Sequence, residues 1–316
     1  MKIAILDDYQ DVAREVADWG ALAGGATVTF FHDTLADEDA LVARLAPFAI
    51  IGAMRERTPF PDSVLARLPS LRLIVTTGMK NAAIDVAAAN RRGVTVCGTG
   101  SSAHSTAELA FALVLVLARD LVAQAASMRA GGWQVGLGHD VHGKTLGLIG
   151  LGRLGGAVAR MAQAFGMTVI AWSENLTDAR CAELGAERVS KDELLARADF
   201  TSIHLRLSDR TRGLIGAAEL ARMRPTASLI NTSRAPIVDT HALVAALLAG
   251  TLRSAALDVY DIEPLPADSP LRGVPNLLLT PHVGYVTRET YEIFYPQMVE
   301  AIAAFLAGKP VRIISD

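Results

Sequence analysis

The chain has 316 residues, 51% of them hydrophobic and 20% charged, which excludes a disordered or linker-like protein and leaves room for about two domains. Its 30 basic and 33 acidic residues leave a net charge of -3, a balance that argues against a broad nucleic-acid surface. Two cysteines, Cys97 and Cys181, are too few and too far apart for a metal ribbon or a disulfide framework, so a reducing compartment is expected.

The chain opens MKIAILDDYQ, and Asp7 and Asp8 stand where a signal peptide would continue its apolar run. The longest apolar stretch runs from Ala110 to Ala118, bounded by Glu108 on one side and by Arg119 and Asp120 on the other. It is about half of the roughly 20 residues that span a bilayer, so a buried helix of a soluble, cytoplasmic protein is expected, with no membrane partner.

Short β-rich runs alternate with Ala/Leu-rich helical stretches. Residues 2–6 read as a strand, 11–22 as a helix, 28–31 as a strand and 37–45 as a helix; 49–53, 71–76 and 94–96 follow as strands with helices between them. Residues 102–129 form the longest helical pattern; Ser105-x-x-Glu108 has the form of a capping box, and Gly131-Gly132 stops the pattern. A second series begins at Thr145-Leu-Gly-Leu-Ile and continues through strands at 169–172, 200–204, 228–231, 254–258 and 277–280, and residues 287–308 read as a last helix. This βαβα order predicts an α/β protein with mostly parallel sheets covered on both faces.

The strongest local motif is Gly150-Leu151-Gly152-Arg153-Leu154-Gly155, placed between the apolar run 146–149 and the helical stretch 156–165. A glycine fingerprint in that context reads as a dinucleotide-binding turn. The first glycine permits the turn, the second lets backbone approach a pyrophosphate, and the third lets helix and strand pack closely. The phosphates then sit on free N–H groups at the positive end of the helix. After the next strand an acid is expected to hold the ribose hydroxyls. Ser173 occupies that position and Glu174 follows it, while residues 173–177 hold no arginine to attract a 2′-phosphate, so the reading leans to NAD, with NADP left open.

Residues 138–145 match G-x-x-x-x-G-K-T by letter, but they precede a strand instead of following one, so an ATP or GTP loop is rejected. His139 and His142 in that run read as surface residues, and no metal is expected.

Three further segments each follow a strand: Asn231-Thr-Ser-Arg234, Leu257-Asp258-Val-Tyr-Asp-Ile-Glu263 and Thr280-Pro-His282-Val-Gly284. Ligands of open α/β sheets bind beyond the carboxyl ends of strands. The trio Arg234, Glu263 and His282 is chemically coherent: a guanidinium holds a carboxylate bidentately, an imidazole exchanges a proton near neutrality, and a carboxylate orients that imidazole.

With those segments the chain resembles the D-isomer-specific 2-hydroxyacid dehydrogenases. The likeness runs through residues 143–155, 231–234, 255–260, 263–265 and 280–282 and covers nearly the whole chain. It implies a flavodoxin-like substrate domain from 1–98 with 287–316, a Rossmann domain from 99–286, and an active site in the cleft between them. It implies that Arg234 binds the 2-oxo acid, that His282 is the general acid/base and that Glu263 is its partner. It assigns substrate binding to the backbone of Thr77, Gly78 and Met79. Cofactor contacts are assigned to Thr106, Thr232 and Asp258 beside the glycine loop, and a homodimer is implied. The chain departs from the family pattern at Ala235, Ser173 and Arg206; Arg55, Arg57 and Lys80 are charged residues near the expected substrate side whose roles stay open. The expected activity is hydride transfer between NAD(P)H and a small 2-oxo acid, glyoxylate- or hydroxypyruvate-like or bulkier. The alternatives are a nicotinamide-sensing protein without turnover, like the related corepressors, and a phosphite-type dehydrogenase.

Overall fold

The computed structural model describes residues 1–22, 25–102 and 104–315. Its chain divides into two compact units, Met1–Ser102 with Thr287–Asp316, and Ala103–Val286.

Unit 1 is built on five parallel strands: β1 (Lys2–Ile5), β2 (Thr27–Phe30), β3 (Ile50–Ala53), β4 (Leu73–Thr76) and β5 (Thr95–Gly98). Their order is β2-β1-β3-β4-β5, the flavodoxin order. β3 and β4 are buried along their whole length, which is why they read as unbroken apolar runs and not as alternating ones. The C-terminal helix Arg288–Leu306 packs on β4 and β5. It buries Tyr291, Phe294, Tyr295, Met298, Ala301 and Ile302, the three- and four-residue spacing of one helical face.

Residues 11–22, expected as a helix, fold instead as a single turn, Ala13–Val16, and a 3-10 turn, Trp19–Ala21. The Asp8 carboxylate accepts from the N–H groups of Val12 and Ala13, and the Asp18 carboxylate accepts from Gly20 N–H. Such side chains offer the backbone local partners that compete with a continuous helix.

Unit 2 holds seven parallel strands: β6 (Thr145–Ile149), β7 (Thr168–Trp172), β8 (Glu187–Arg188), β9 (Phe200–Ile203), β10 (Ser228–Asn231), β11 (Ser254–Leu257) and β12 (Leu277–Leu279). Their order is β12-β11-β10-β9-β6-β7-β8, a Rossmann sheet whose strand order reverses between β6 and β9. Side chains alternate between two cores. Leu146, Leu148, Val169 and Ala171 pack with the helices Ser105–Arg119 and Arg153–Ala164, while Ile149, Ile170, Ile203 and Leu229 line the other face.

The long helix expected over 102–129 is two helices, Ser105–Arg119 and Leu121–Arg129, bent by 65° at Asp120. Asp120 is left-handed, with φ 52°, a conformation that aspartate tolerates better than most residues. The first helix buries one face in the core; the second buries no residue, and Leu121, Val122 and Met128 are exposed. His104, not Ser105, starts the first helix and no side-chain cap forms, so the expected capping box is absent. Among the described residues, no single helix is long and apolar enough to cross a membrane; the bent pair meets that test only when taken together.

Candidate active site

Three loops leave the carboxyl ends of adjacent strands in unit 2. The ladders run on into them: Asp258 N–H donates to Asn231 O at 3.0 Å and Thr280 N–H to Leu257 O at 3.0 Å. Arg234, Glu263 and His282 therefore stand on successive loops at one edge of the sheet, the place where open α/β sheets bind ligands.

The loop after β10 is closed by the buried Asn231. Its Nδ2 donates to Arg234 O at 2.9 Å and its Oδ1 accepts from Ser233 N–H at 3.0 Å, while Ser233 Oγ donates to Ile203 O at 2.6 Å. This turn delivers Arg234 in an extended conformation, with Nη1 donating to Ser233 O at 2.8 Å. Thr232 beside it is buried, and its Oγ1 has no hydrogen-bond partner among the described residues.

The loop after β11 holds Glu263 at both oxygens. Oε1 accepts from Tyr260 N–H at 2.9 Å and Oε2 lies 2.6 Å from His282 Nδ1. The Tyr260 hydroxyl shares its proton between Leu257 O at 3.0 Å and Thr280 O at 2.8 Å. Burial, reinforced by the negative charges of Asp258 and Glu263, holds that phenol well above its usual range, so it stays a donor.

Asp258 secures the third loop. Its buried carboxylate accepts from Thr280 Oγ1 at 2.6 Å, Val283 N–H at 2.8 Å and Gly284 N–H at 2.9 Å. Burial pushes the Asp258 carboxyl up, while the Thr280 hydrogen bond and the two amides oppose that rise. From the other side, Thr106 Oγ1 donates to Gly284 O at 2.9 Å. A Cβ on Gly284 would lie 3.1 Å from Asp258 Oδ2 and 3.2 Å from Thr106 Cγ2, so a side chain there would press on both clamps. Between them His282 adopts φ 53°, a left-handed conformation that persists only where its surroundings over-determine it. The Tyr285 ring meets the imidazole edge to face, with centroids 5.6 Å apart at 73°. The sequence reading assigns no role to Thr280, Tyr260 or Tyr285, and gives Asp258 and Thr106 only cofactor contacts. Thr280 opens the Thr280-Pro-His282 segment, the clearest signal of the three in the sequence.

The glycine loop is at the other side of the sheet's switch point. Gly150 has φ 103°, and a Cβ there would lie 2.6 Å from His204 O; a Cβ on Gly155 would lie 2.1 Å from Gly150 O. Around Gly152 a Cβ would meet nothing within 4 Å, which leaves space for a close-lying group. Gly152 caps the helix Arg153–Ala164 without a side-chain cap, so the first N–H groups, at Arg153 and Leu154, face outward from a positive helix end. This cradle fits the pyrophosphate of a dinucleotide. Ser173 is half-buried and Glu174 exposed. His204, whose carbonyl abuts Gly150, is depressed by burial to about 4, so its ring is neutral.

In unit 1, Thr77 and Gly78 donate their N–H groups inward, to Ala53 O at 3.0 Å and Thr99 Oγ1 at 2.8 Å, and Met79 is exposed. Arg55 Nη1 donates to Thr77 O at 3.1 Å, and Arg57 lies over the Tyr9 ring at 5.3 Å. Lys80 and Arg206 are exposed.

Residues 111–284 match the family model described as D-isomer specific 2-hydroxyacid dehydrogenase, NAD binding domain. The chain belongs to the D-isomer-specific 2-hydroxyacid dehydrogenases. It is 38% identical to a glyoxylate reductase of Korarchaeum cryptofilum over 258 residues, covering 79% of this chain and 78% of that one. It is 39% identical over 276 residues to a D-3-phosphoglycerate dehydrogenase of Mycobacterium tuberculosis; the match covers 86% of this chain but 52% of that one, so this dehydrogenase chain spans about half its length. A crystal structure of a phosphoglycerate oxidoreductase from Vibrio cholerae superposes with a TM-score of 0.93 at 41% identity, covering 98% of this chain and 99% of that one. Like the family, this dehydrogenase is an NAD(P)-dependent oxidoreductase with a Rossmann fold.

Proposed function

We propose that this dehydrogenase reduces a small 2-oxo acid, of the glyoxylate or hydroxypyruvate kind or bulkier, and oxidises the corresponding D-2-hydroxy acid. The observation that carries this reading is the 2.6 Å contact between His282 Nδ1 and Glu263 Oε2 on a loop adjoining that of Arg234. The bound nicotinamide supplies the hydride. With Nδ1–H committed to Glu263, the exchangeable proton sits on Nε2, which protonates the substrate's carbonyl oxygen during reduction. Arg234 orients the substrate carboxylate and offsets the negative charge that develops on the carbonyl oxygen. Asp258 and Thr106 keep the His282 loop in place; in unit 1 the amides of Thr77 and Gly78 donate to Ala53 O and Thr99 Oγ1, so substrate binding by that loop rests on Met79. Relatives named glyoxylate reductase and glyoxylate/hydroxypyruvate reductase support the substrate class. We also propose a homodimer formed through the exposed apolar residues after Asp120. Buried, unpaired Cys97 and Cys181 support a reducing, cytoplasmic setting.

The test is loss of absorbance at 340 nm with glyoxylate, hydroxypyruvate, pyruvate and bulkier 2-oxo acids, each with NADH and with NADPH. Turnover of one of them supports the reading. Cofactor binding without turnover of any would replace it with a sensor.

A further inference from the structure

Ser173 stands where a dinucleotide fold places the acid that binds the ribose 2′-hydroxyl and repels a 2′-phosphate. Glu174, one residue on, is exposed, and nothing among the described residues holds it in hydrogen bonds or ion pairs. No arginine lies in residues 173–177, but the fold returns one from farther along the chain. Thr177 caps the helix Asp178–Glu183, with its side chain accepting from Arg180 N–H, and the helix sends the Arg180 side chain back to the glycine loop. Arg180 Nε donates to Leu151 O at 3.2 Å and Nη2 to Gly152 O at 3.4 Å. A Cβ on Gly156 would lie 3.3 Å from Nη2. Gly150 N–H donates to Trp172 O at 2.8 Å, so the loop that begins at Ser173 and the glycine loop leave the sheet side by side. Arg180 closes the corner between them.

Three of its five N–H groups are engaged: Nε, one on Nη2, and one on Nη1, which pairs with Glu183 Oε2 at 2.7 Å. One N–H remains on each terminal nitrogen. The ion pair is a surface one, with Arg180 34% and Glu183 63% exposed, and such pairs are weak and readily shared with a second anion. Arg153 adds an exposed guanidinium at the start of the following helix. A phosphate monoester is the anion that a planar fork of donors fits best.

We propose that Arg180 reads the 2′-phosphate of the cofactor, so that this dehydrogenase binds NADP(H) more tightly than NAD(H). The proposal rests on the reading of residues 150–155 as the cofactor loop. The geometry outweighs Glu174, whose charge is solvated and screened, whereas Arg180 is held against the loop by its own hydrogen bonds.

Fluorescence titration of the protein with NADPH and with NADH, without substrate, tests it in wild type, Arg180→Ala, Arg180→Lys and Ser173→Asp. The wild type is expected to bind NADPH about 10-fold more tightly or better, and Arg180→Ala to weaken NADPH by roughly 10-fold to 100-fold while NADH changes little, the loss of a charge-assisted hydrogen bond. Arg180→Lys is expected to keep part of the preference, and Ser173→Asp to reverse it, so the idea stays testable if Arg180→Ala folds poorly. Tighter NADH binding by the wild type overturns the proposal and leaves the cofactor loop intact. Equal weakening of both cofactors in Arg180→Ala also overturns it, because the arginine would then only brace the loop. Binding of neither cofactor by the wild type would overturn the cofactor loop itself.

Discussion

His282 Nδ1 and Glu263 Oε2 lie 2.6 Å apart, joining two loops that leave neighbouring strands. The contact sets which ring nitrogen keeps its proton and fixes the ring, leaving Nε2 to meet the substrate. Glu263→Gln keeps the shape but replaces the carboxylate acceptor by an amide, so the imidazole loses the partner that orients it. kcat for reduction is expected to fall roughly 10-fold to 100-fold. Steady-state kinetics measures the loss, and a wild-type kcat would remove Glu263 from this role.

Arg234 is partly exposed on a turn tied down by Asn231 and Ser233. Arg234→Ala is expected to lower kcat/KM by about 100-fold to 1000-fold with little change in melting temperature, since it removes a charged donor aimed at substrate. Arg234→Lys is expected to recover only part of the loss, because an ammonium lacks the planar fork. Steady-state kinetics beside a thermal melt decide the matter, and full activity in the alanine variant would reject the assignment.

Two glycines of one loop are expected to respond differently to alanine. A Cβ on Gly155 meets Gly150 O at 2.1 Å, a backbone atom that cannot step aside, so Gly155→Ala is expected to lower stability by about 1–3 kcal/mol and to weaken cofactor binding. A Cβ on Gly152 meets nothing within 4 Å, so Gly152→Ala is expected to keep the wild-type melting temperature and lose cofactor affinity alone. Thermal melts paired with cofactor titrations separate the two. Equal destabilisation would mean that the space at Gly152 is not a phosphate cradle.

His204 links stability to pH. Burial depresses it from 6.5 to about 4, so between those values the unfolded chain binds a proton that the folded chain refuses. Its contribution is present above pH 6.5 and is lost as pH falls towards 4. At about 1.4 kcal/mol per unit, the slope is worth at most about 3 kcal/mol. Urea unfolding across that window is expected to show it, and His204→Gln to flatten it. A variant with the wild-type slope would place the titration elsewhere.

Past Asp120 the chain leaves Trp133 69% and Leu137 91% exposed, with Leu121, Val122 and Met128 also in water. These residues are the interface of the proposed homodimer. Light scattering is expected to give twice the mass of one chain, and Val122→Glu with Met128→Glu to shift that towards one chain. A wild-type monomer at micromolar concentration would refute the dimer.

The sequence by itself determined the parallel sheets and the dinucleotide turn. Strands buried on both faces, such as 50–53 and 146–149, must be written as continuous apolar runs; a backbone that turns at φ 103° must be written as glycine at Gly150, and a helix that packs onto the Gly150 carbonyl must be written as glycine at Gly155. These are local demands, and local spacing records them. The break at Asp120 was not legible because a single left-handed residue leaves no mark on periodicity, and the collapse of residues 11–22 into two short turns was not, because periodicity does not count the side-chain acceptors that rival a helix. The contacts that build the site are decided only by the tertiary structure. Thr106 reaches Gly284 across 178 positions, Asp258 reaches Val283 across 25, and Arg180 returns 28 positions to Gly152. Each depends on which strands are neighbours in the finished sheet, an order set by packing of the whole unit, and no spacing along the chain carries it.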